Sequence, residues 1–238
     1  MLFYVYAFFT GLILGSFYQV VACRIPLGSS IIKPRSHCLH CHHVLQVKEL
    51  IPILSFCIQK GRCTNCNIKI SPFHPLFEGI AGIGFLLTAL FIGPNEQLII
   101  VWTLLSLLFI VTITDLLYMV IPNRILFFFA GLFVIERFFI SPSLWWDGLL
   151  GAAVMFGLLY IIQVICPAGI GGGDVKLLIL LGFVVGTKTI LLSLCFSSLF
   201  GICFFTISIA FRCMTYKQPL PFAPFIALGT ICAYSIYV

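Results

Sequence analysis

Long apolar blocks, interrupted by one extended polar segment, set the pattern of this chain. Blocks long enough to cross about 30 Å of hydrocarbon cover residues 2–23, 76–93, 97–117, 124–140, 148–166, 175–187, 189–211 and 222–238. About eight transmembrane helices are therefore expected, the sixth being the shortest. The first block starts at Met1 without a basic n-region and runs through Cys23 without a small-residue cleavage site, so it is expected to be a retained helix. Within it, Gly11 and Gly15 have the small-xxx-small spacing that lets a neighbouring helix come close.

The polar segment, residues 24–75, holds seven of the thirteen Lys and Arg and all five His. Its positive charge predicts a cytoplasmic loop, which puts the N-terminus outside. Threading the remaining spans from that start also puts Arg124, Lys176, Arg212 and Lys217 inside, and leaves only Arg137 and Lys188 outside. Composition agrees: with 61% hydrophobic residues and 25 Phe, the chain has too few polar residues to cover a water-soluble globule of 238 residues. The expected class is an all-α integral membrane protein in three parts. These are a first transmembrane helix (1–23), a cytoplasmic loop domain (24–75) and a transmembrane domain (76–238). The net charge of +6 does not indicate a nucleic-acid partner, because the basic residues are spread along inner loops beside the bilayer with no aromatic-interleaved stripe. Topology and contact with anionic lipid account for them.

Two of the three aspartates, Asp115 and Asp174, stand where apolar blocks end, and the topology puts both at the cytoplasmic face. Asp147 falls on the other side, beside Trp145 and Trp146. An ionised carboxylate in the bilayer costs roughly 2.5–3.5 kcal/mol on insertion scales, so a chain with 8% charged residues keeps a pair there for chemistry. Pro122 biases Ile121 away from helix, so the span carrying Asp115 should end in an Ile121-Pro122-Asn123 turn. Asp174 closes the run Gly171-Gly172-Gly173, which comes after Cys166-Pro167 and is expected to be an irregular loop where a substrate backbone can come close. Two carboxylates within hydrogen-bonding range share one proton, so one can take a proton from water while the other donates to a scissile carbonyl. That is the chemistry of an aspartic protease. The plainer alternative pairs Asp115 with Arg124 and Asp174 with Lys176, or makes each a helix cap. A phosphate-cradling reading of the glycines fails, because no G-x-x-x-x-G-K-[ST] run is present and an aspartate at the helix start repels phosphate.

The polar segment carries Cys38-Leu39-His40-Cys41 and Cys63-Thr64-Asn65-Cys66, two C-x2-C pairs 21 residues apart. This is close to the spacing of a four-thiolate zinc site, and a loop of about fifty residues with little core needs such a staple. A closed four-thiolate site has no open position, so the metal is expected to be structural. Disulfides are disfavoured in a reducing cytoplasm. His37, His40, His42 and His43 crowd the first pair as possible replacement or supporting donors, or as solvated loop residues. Cys23, Cys57, Cys166, Cys195, Cys203, Cys213 and Cys232 show no pairing pattern and are expected to be small buried hydrophobes.

In order along the chain, these pieces resemble a type IV prepilin peptidase, also called leader peptidase or prepilin N-methyltransferase, of the kind that serves competence pseudopilins. The resemblance runs almost end to end. It rests on Gly15-Ser16-Phe17, Val20-Val21 and Arg24-Ile25-Pro26; on the four cysteines with Ile51-Pro52 and Leu54-Ser55 between them and Pro75-Leu76 leading to Glu78. It continues through Asp115 with Ile121-Pro122-Asn123, the run Gly171–Lys176 as a G-x-G-D signature, and Pro224-Phe225 with Gly229. The resemblance implies an aspartic endopeptidase of the cell membrane that removes a short basic leader from prepilin-like precursors at the cytoplasmic face, with Asp115 and Asp174 as the catalytic pair. It also implies N-methylation of the new amine with S-adenosylmethionine. Gln19 stands where the family has Asn, and Glu49 and Glu78 match acidic positions around the loop; these three are the candidates for methyl-donor contacts. An ion-coupled transporter using the aspartates as a proton relay and a zinc-stabilised scaffold are the alternatives. The first lacks the paired broken helices of internal repeats, and the second leaves the aspartates unused.

Overall fold

The structure is a computed structural model and describes residues 1–38, 40–140, 145–166, 169–211 and 220–237. Leu39, Pro167, Arg212, Cys213 and Lys217, all used in the sequence reading, lie outside the described residues. The described residues are all helical apart from loops and two isolated β-bridges. Helices α1 (Leu2–Arg24), α3 (Phe73–Ile92), α4 (Gln97–Tyr118), α5 (Asn123–Phe139), α6 (Trp145–Ile165), α7 (Gly172–Val185), α8 (Thr187–Ala210) and α9 (Ala223–Tyr237) match the eight apolar blocks within a few residues. One short helix, α2 (Leu54–Ile58), lies in the polar segment and has no counterpart in the sequence expectation. Five of the helices are long and apolar enough to cross a membrane, and α9 is a shorter apolar helix.

The chain divides into two compact units, Met1–Ile110 and Val111–Val238, with the division inside α4. In the first unit α1 packs along α3. Between helices bathed in lipid the hydrophobic effect supplies little attraction, so close backbone approach and polar contacts must hold them. Gly11 and Gly15 supply that approach: a Cβ at Gly11 would lie 2.8 Å from Ala81 O, and one at Gly15 would lie 2.7 Å from Ala81 Cβ. One turn beyond Gly15, the buried Gln19 amide donates to His74 O at 3.0 Å, while its Oε1 pairs with His74 Nδ1 at 2.7 Å. Trp102 on α4 donates its ring N–H to Thr88 Oγ1 on α3 at 3.2 Å and packs its ring on Phe85.

In the second unit α6 packs on α7 and α8 on α9, and α7 also touches α5, α8 and α9. Gly151 and Gly182 meet backbone to backbone where α6 crosses α7. Ser193 and Thr230 exchange a 2.8 Å hydrogen bond across α8 and α9, beside Gly229. At the far end of α7 the chain reverses through Gly186 at φ +83°, a left-handed conformation that favours glycine. Several residues expected to be small buried hydrophobes are exposed instead: Cys195 and Cys203 on α8, Cys57 in α2 and Cys166 just after α6. For Cys195 and Cys203, on a helix apolar enough to cross a membrane, an outward face is itself apolar, so a hydrophobic side chain need not turn inward.

Candidate active site

Asp115 lies in the last turn of α4 and is 6% exposed. Its Oδ2 accepts the Ala223 N–H at 2.9 Å, and the Phe222 N–H also acts on the carboxylate. These donors exist because α9 starts there, and the first amides of a helix have no partner within it. The sequence reading did not find this contact, although Pro221 and Pro224 around Phe222-Ala223 were a usable sign of a helix start. Asp174 is the third residue of α7 and is half-buried. The two carboxylates are close enough for the charge of Asp115 to act on Asp174. Residues 59 apart in sequence are thus brought into one site within the second unit.

The surroundings differ from the expectation in three ways. First, α4 ends at Tyr118, three residues before the anticipated break, and Met119 reverses the chain at φ +53°. Second, the glycine run is mostly not a loop: α7 begins at Gly172, leaving only Gly171 extended, at φ −64°, ψ 137°. A helix can start in glycine here because Gly173 packs on Ile121, where a Cβ would lie 3.0 Å from Ile121 Cβ. Gly171 and Gly172 are exposed, and a Cβ at Gly172 would meet open space. Third, Lys176 does not pair with Asp174; its Nζ donates to Asn123 Oδ1 at 3.0 Å. Residues two apart on a helix do not face each other. Among the described residues neither Asp115 nor Asp174 forms an ion pair, so the plainer pairings with Arg124 and Lys176 are absent.

Asp147 is separated from this pair by the length of α7. Its Oδ1 accepts the Thr187 N–H at 3.3 Å, and its carbonyl accepts the Thr187 hydroxyl at 3.2 Å. The buried Arg137 donates to Phe183 O at 2.7 Å and lies over the Phe183 ring.

In the first unit, Cys38, Cys41, Cys63 and Cys66 converge, with their sulfurs all within 4.8 Å of one another. Each pair forms the same hairpin knuckle. Cys38 N donates to His43 O and His42 N to Cys38 O; Cys63 N donates to Ile68 O and Asn67 N to Cys63 O, all at 2.9 Å. The residue after each second cysteine, His42 or Asn67, takes a left-handed φ of 55° or 58°. This close pattern, repeated 25 residues apart, aims four sulfurs at one point. The Cys41 and His40 amides hold the Cys38 thiol down to about 6. Against the help of the Ile68 amide, desolvation and the neighbouring sulfurs push Cys66 up to about 12. Four crowded sulfurs compete for charge in this way without a cation, so the donor set fits a tetrahedral thiophilic ion such as zinc.

Glu49 joins the two knuckles, accepting the Gln46 N–H at 2.7 Å, the Thr64 hydroxyl and, at 3.3 Å, His43 Nε2. The Thr64 hydroxyl and then the Gln46 amide hold its carboxyl below the usual range. Glu78 on α3 is buried and accepts the Ile53 N–H at 2.9 Å, at the start of α2. Gln19, Glu49 and Glu78 are therefore each occupied by contacts within the first unit, and the structure does not gather them around one point.

The fold and site define a class: an all-helical, multi-pass membrane protein with a carboxylate pair in one unit and a four-cysteine centre in the other. Residues 9–92 match the bacterial peptidase A24 N-terminal domain, and residues 102–206 match the type IV leader peptidase family. The prepilin leader peptidase/N-methyltransferase of Bacillus subtilis (strain 168) is 44% identical over 227 residues, spanning 95% of this chain and 92% of that protein. Proteins of the same name from Myxococcus xanthus (strain DK1622) and Aeromonas hydrophila are 34% and 28% identical, spanning 84% and 96% of this chain and 61% and 89% of their own. No solved structure matches the chain. The chain belongs to the type IV leader peptidase family.

Proposed function

We propose that this protein is an aspartic endopeptidase of the cell membrane that removes the basic leader from type IV prepilin-like precursors, the pseudopilins of a competence system, at the cytoplasmic face. The observation that carries this is the meeting of Asp115 and Asp174 in one site with, among the described residues, no cation paired to either. One carboxylate takes a proton from water as the oxygen attacks the scissile carbonyl carbon, and the other donates its proton to the carbonyl oxygen. Collapse of the tetrahedral intermediate breaks the C–N bond, and the leaving amine takes a proton from the dyad. The Phe222 and Ala223 amides hold the Asp115 carboxylate in place during these transfers. Exposed Gly171 and Gly172 leave room for the substrate backbone beside Asp174.

The excess of Lys and Arg in the inner segments supports an N-terminus outside and an active site facing the cytoplasm. Residues 76–238 then form the peptidase domain, and residues 24–75 a loop domain stapled by zinc on Cys38, Cys41, Cys63 and Cys66. A second activity, N-methylation of the exposed amine, is supported by the N-methyltransferase in the names of the relatives. S-adenosylmethionine would supply the methyl group.

The test is cleavage of a pseudopilin precursor in detergent by the purified parent, Asp115→Asn and Asp174→Asn. Near-total loss in both folded variants is expected. Persistent cleavage in either variant would overturn the dyad.

A further inference from the structure

We infer that the turn between α4 and α5 is the spacer that fixes the separation of the two aspartates, with Ile121 and Asn123 as positioning residues; this rests on the aspartic reading above. Two contacts straddle Asp174 on the first turn of α7. One residue before it, Gly173 packs on the side chain of buried Ile121. Two residues after it, Lys176 Nζ donates to Asn123 Oδ1 at 3.0 Å. The same turn is tied to the other aspartate through the chain: Met119 N–H donates to Asp115 O at 2.9 Å, and the left-handed Met119 directs residues 120–123 toward α7. Asp115 and Asp174 are therefore connected through eight residues of backbone, one apolar contact and one hydrogen bond. The Asn123–Lys176 bond is exposed and contributes little stability, so its value lies in fixing position.

The separation of two like charges sets how far apart their protonation steps fall, and hence the width of the pH window in which the pair holds one proton. If the first turn of α7 slackens away from α4, the coupling falls and both limbs of the profile move inward. Among the described residues, the other titratable groups at this end are Tyr118 on α4, Arg124 on α5, Cys166 after α6 and Lys176 itself. Glu136, Arg137, Asp147 and Lys188 lie toward the opposite ends of α5, α6 and α8. The remaining titratable side chains on α6, α8 and α9 are Tyr160, Cys195, Cys203, Cys232, Tyr234 and Tyr237. Gain or loss of any one of these charges moves both limbs the same way, so two-sided narrowing reports the separation.

The experiment is the pH profile of kcat and KM for precursor cleavage by the parent, Asn123→Ala, Lys176→Met, the double variant and Lys176→Arg. Asn123→Ala should narrow the bell from both sides and lose about tenfold in kcat, and Lys176→Met and the double variant should show the same narrowing about a midpoint raised by the lost cation. Their KM and Tm should stay close to the parent's. Lys176→Arg, which keeps the donor, should restore the width. An unchanged width, or an effect confined to KM, overturns the inference. If Asp115→Asn or Asp174→Asn still cleaves, the aspartic reading fails first; if both are inactive and the Asn123→Ala bell keeps its width, only the spacer role fails.

Discussion

The crossing of α6 and α7 makes the second unit sensitive to a single methyl group. A Cβ on Gly182 would stand 2.7 Å from Gly151 O, 2.8 Å from Gly151 C and 3.1 Å from Ala152 N, all of them backbone atoms that cannot rotate aside. Ordinary contact begins at 3.4 Å, so Gly182→Ala must part the helices by about 0.7 Å, a misfit of the kind that costs about 1–3 kcal/mol. Alanine's better helix propensity returns about 1 kcal/mol, leaving a net loss of up to about 2 kcal/mol. For a chain of this size that is a fall in Tm of up to roughly 8 °C. Asp174 lies eight residues, about 12 Å, along the same helix, so the displacement reaches the carboxylate. Misplacement on that scale lowers kcat on the order of 10–100-fold. The assay is thermal unfolding in detergent together with precursor cleavage, with Gly157→Ala as the control in α6, where a Cβ meets nothing within 4 Å. Gly182→Ala matching Gly157→Ala in both Tm and kcat would refute the packing argument.

Chelation, or Cys63→Ser, should make residues 24–75 sensitive to added protease while precursor cleavage persists; unchanged protease resistance would contradict a metal staple on the four sulfurs. Gln19→Leu removes both bonds to His74 and should lower stability by about 1–2 kcal/mol, read as Tm, with an unaltered Tm counting against the latch between α1 and α3. Glu49 contributes stability because its carboxyl is held below the usual range by the Thr64 hydroxyl and then the Gln46 amide. A depressed carboxyl stabilises the fold fully above its unfolded value near ~4.3 and loses that contribution as pH falls through the folded value. The difference in loop protease resistance between the parent and Glu49→Gln should therefore be present at neutral pH and fade below about pH 4, whereas a pH-independent difference would reject the assignment.

The helices were legible because one physical contrast, apolar run against polar break, decides each of them. Residues 97–117 became Gln97–Tyr118 and residues 124–140 became Asn123–Phe139. The cysteine spacing was legible for a similar reason, since two residues between sulfurs fit one ion. The contacts that stayed hidden depend on partners distant in sequence. Ala223 meets Asp115 across 108 residues, and no local pattern in either segment announces the bond. Lys176 sits two residues from Asp174 in sequence, yet helix geometry carries it to Asn123. The short helix α2 was missed because five residues give no periodicity, and its start depends on Glu78, 25 residues away from Ile53.

An aspartate beside an apolar block is not by itself a sign of chemistry, and the three in this chain show the features that separate the cases. Asp147 lies beside Thr187, which opens α8, and its carboxylate accepts that residue's amide and is within charge reach of Arg137. A carboxylate so placed has an amide donor and a cation in its surroundings and joins α6 to the turn between α7 and α8. Asp115 also meets amides at a helix start, but its charged neighbour is another carboxylate, and the nearby Lys176 is held by Asn123. Like charges kept together with, among the described residues, no cation between them oppose folding unless a proton is shared, so the fold maintains an arrangement that packing alone does not favour. The identity of the neighbour, cation for Asp147 and carboxylate for Asp115, therefore distinguishes the structural aspartate from the pair proposed to hydrolyse a peptide bond.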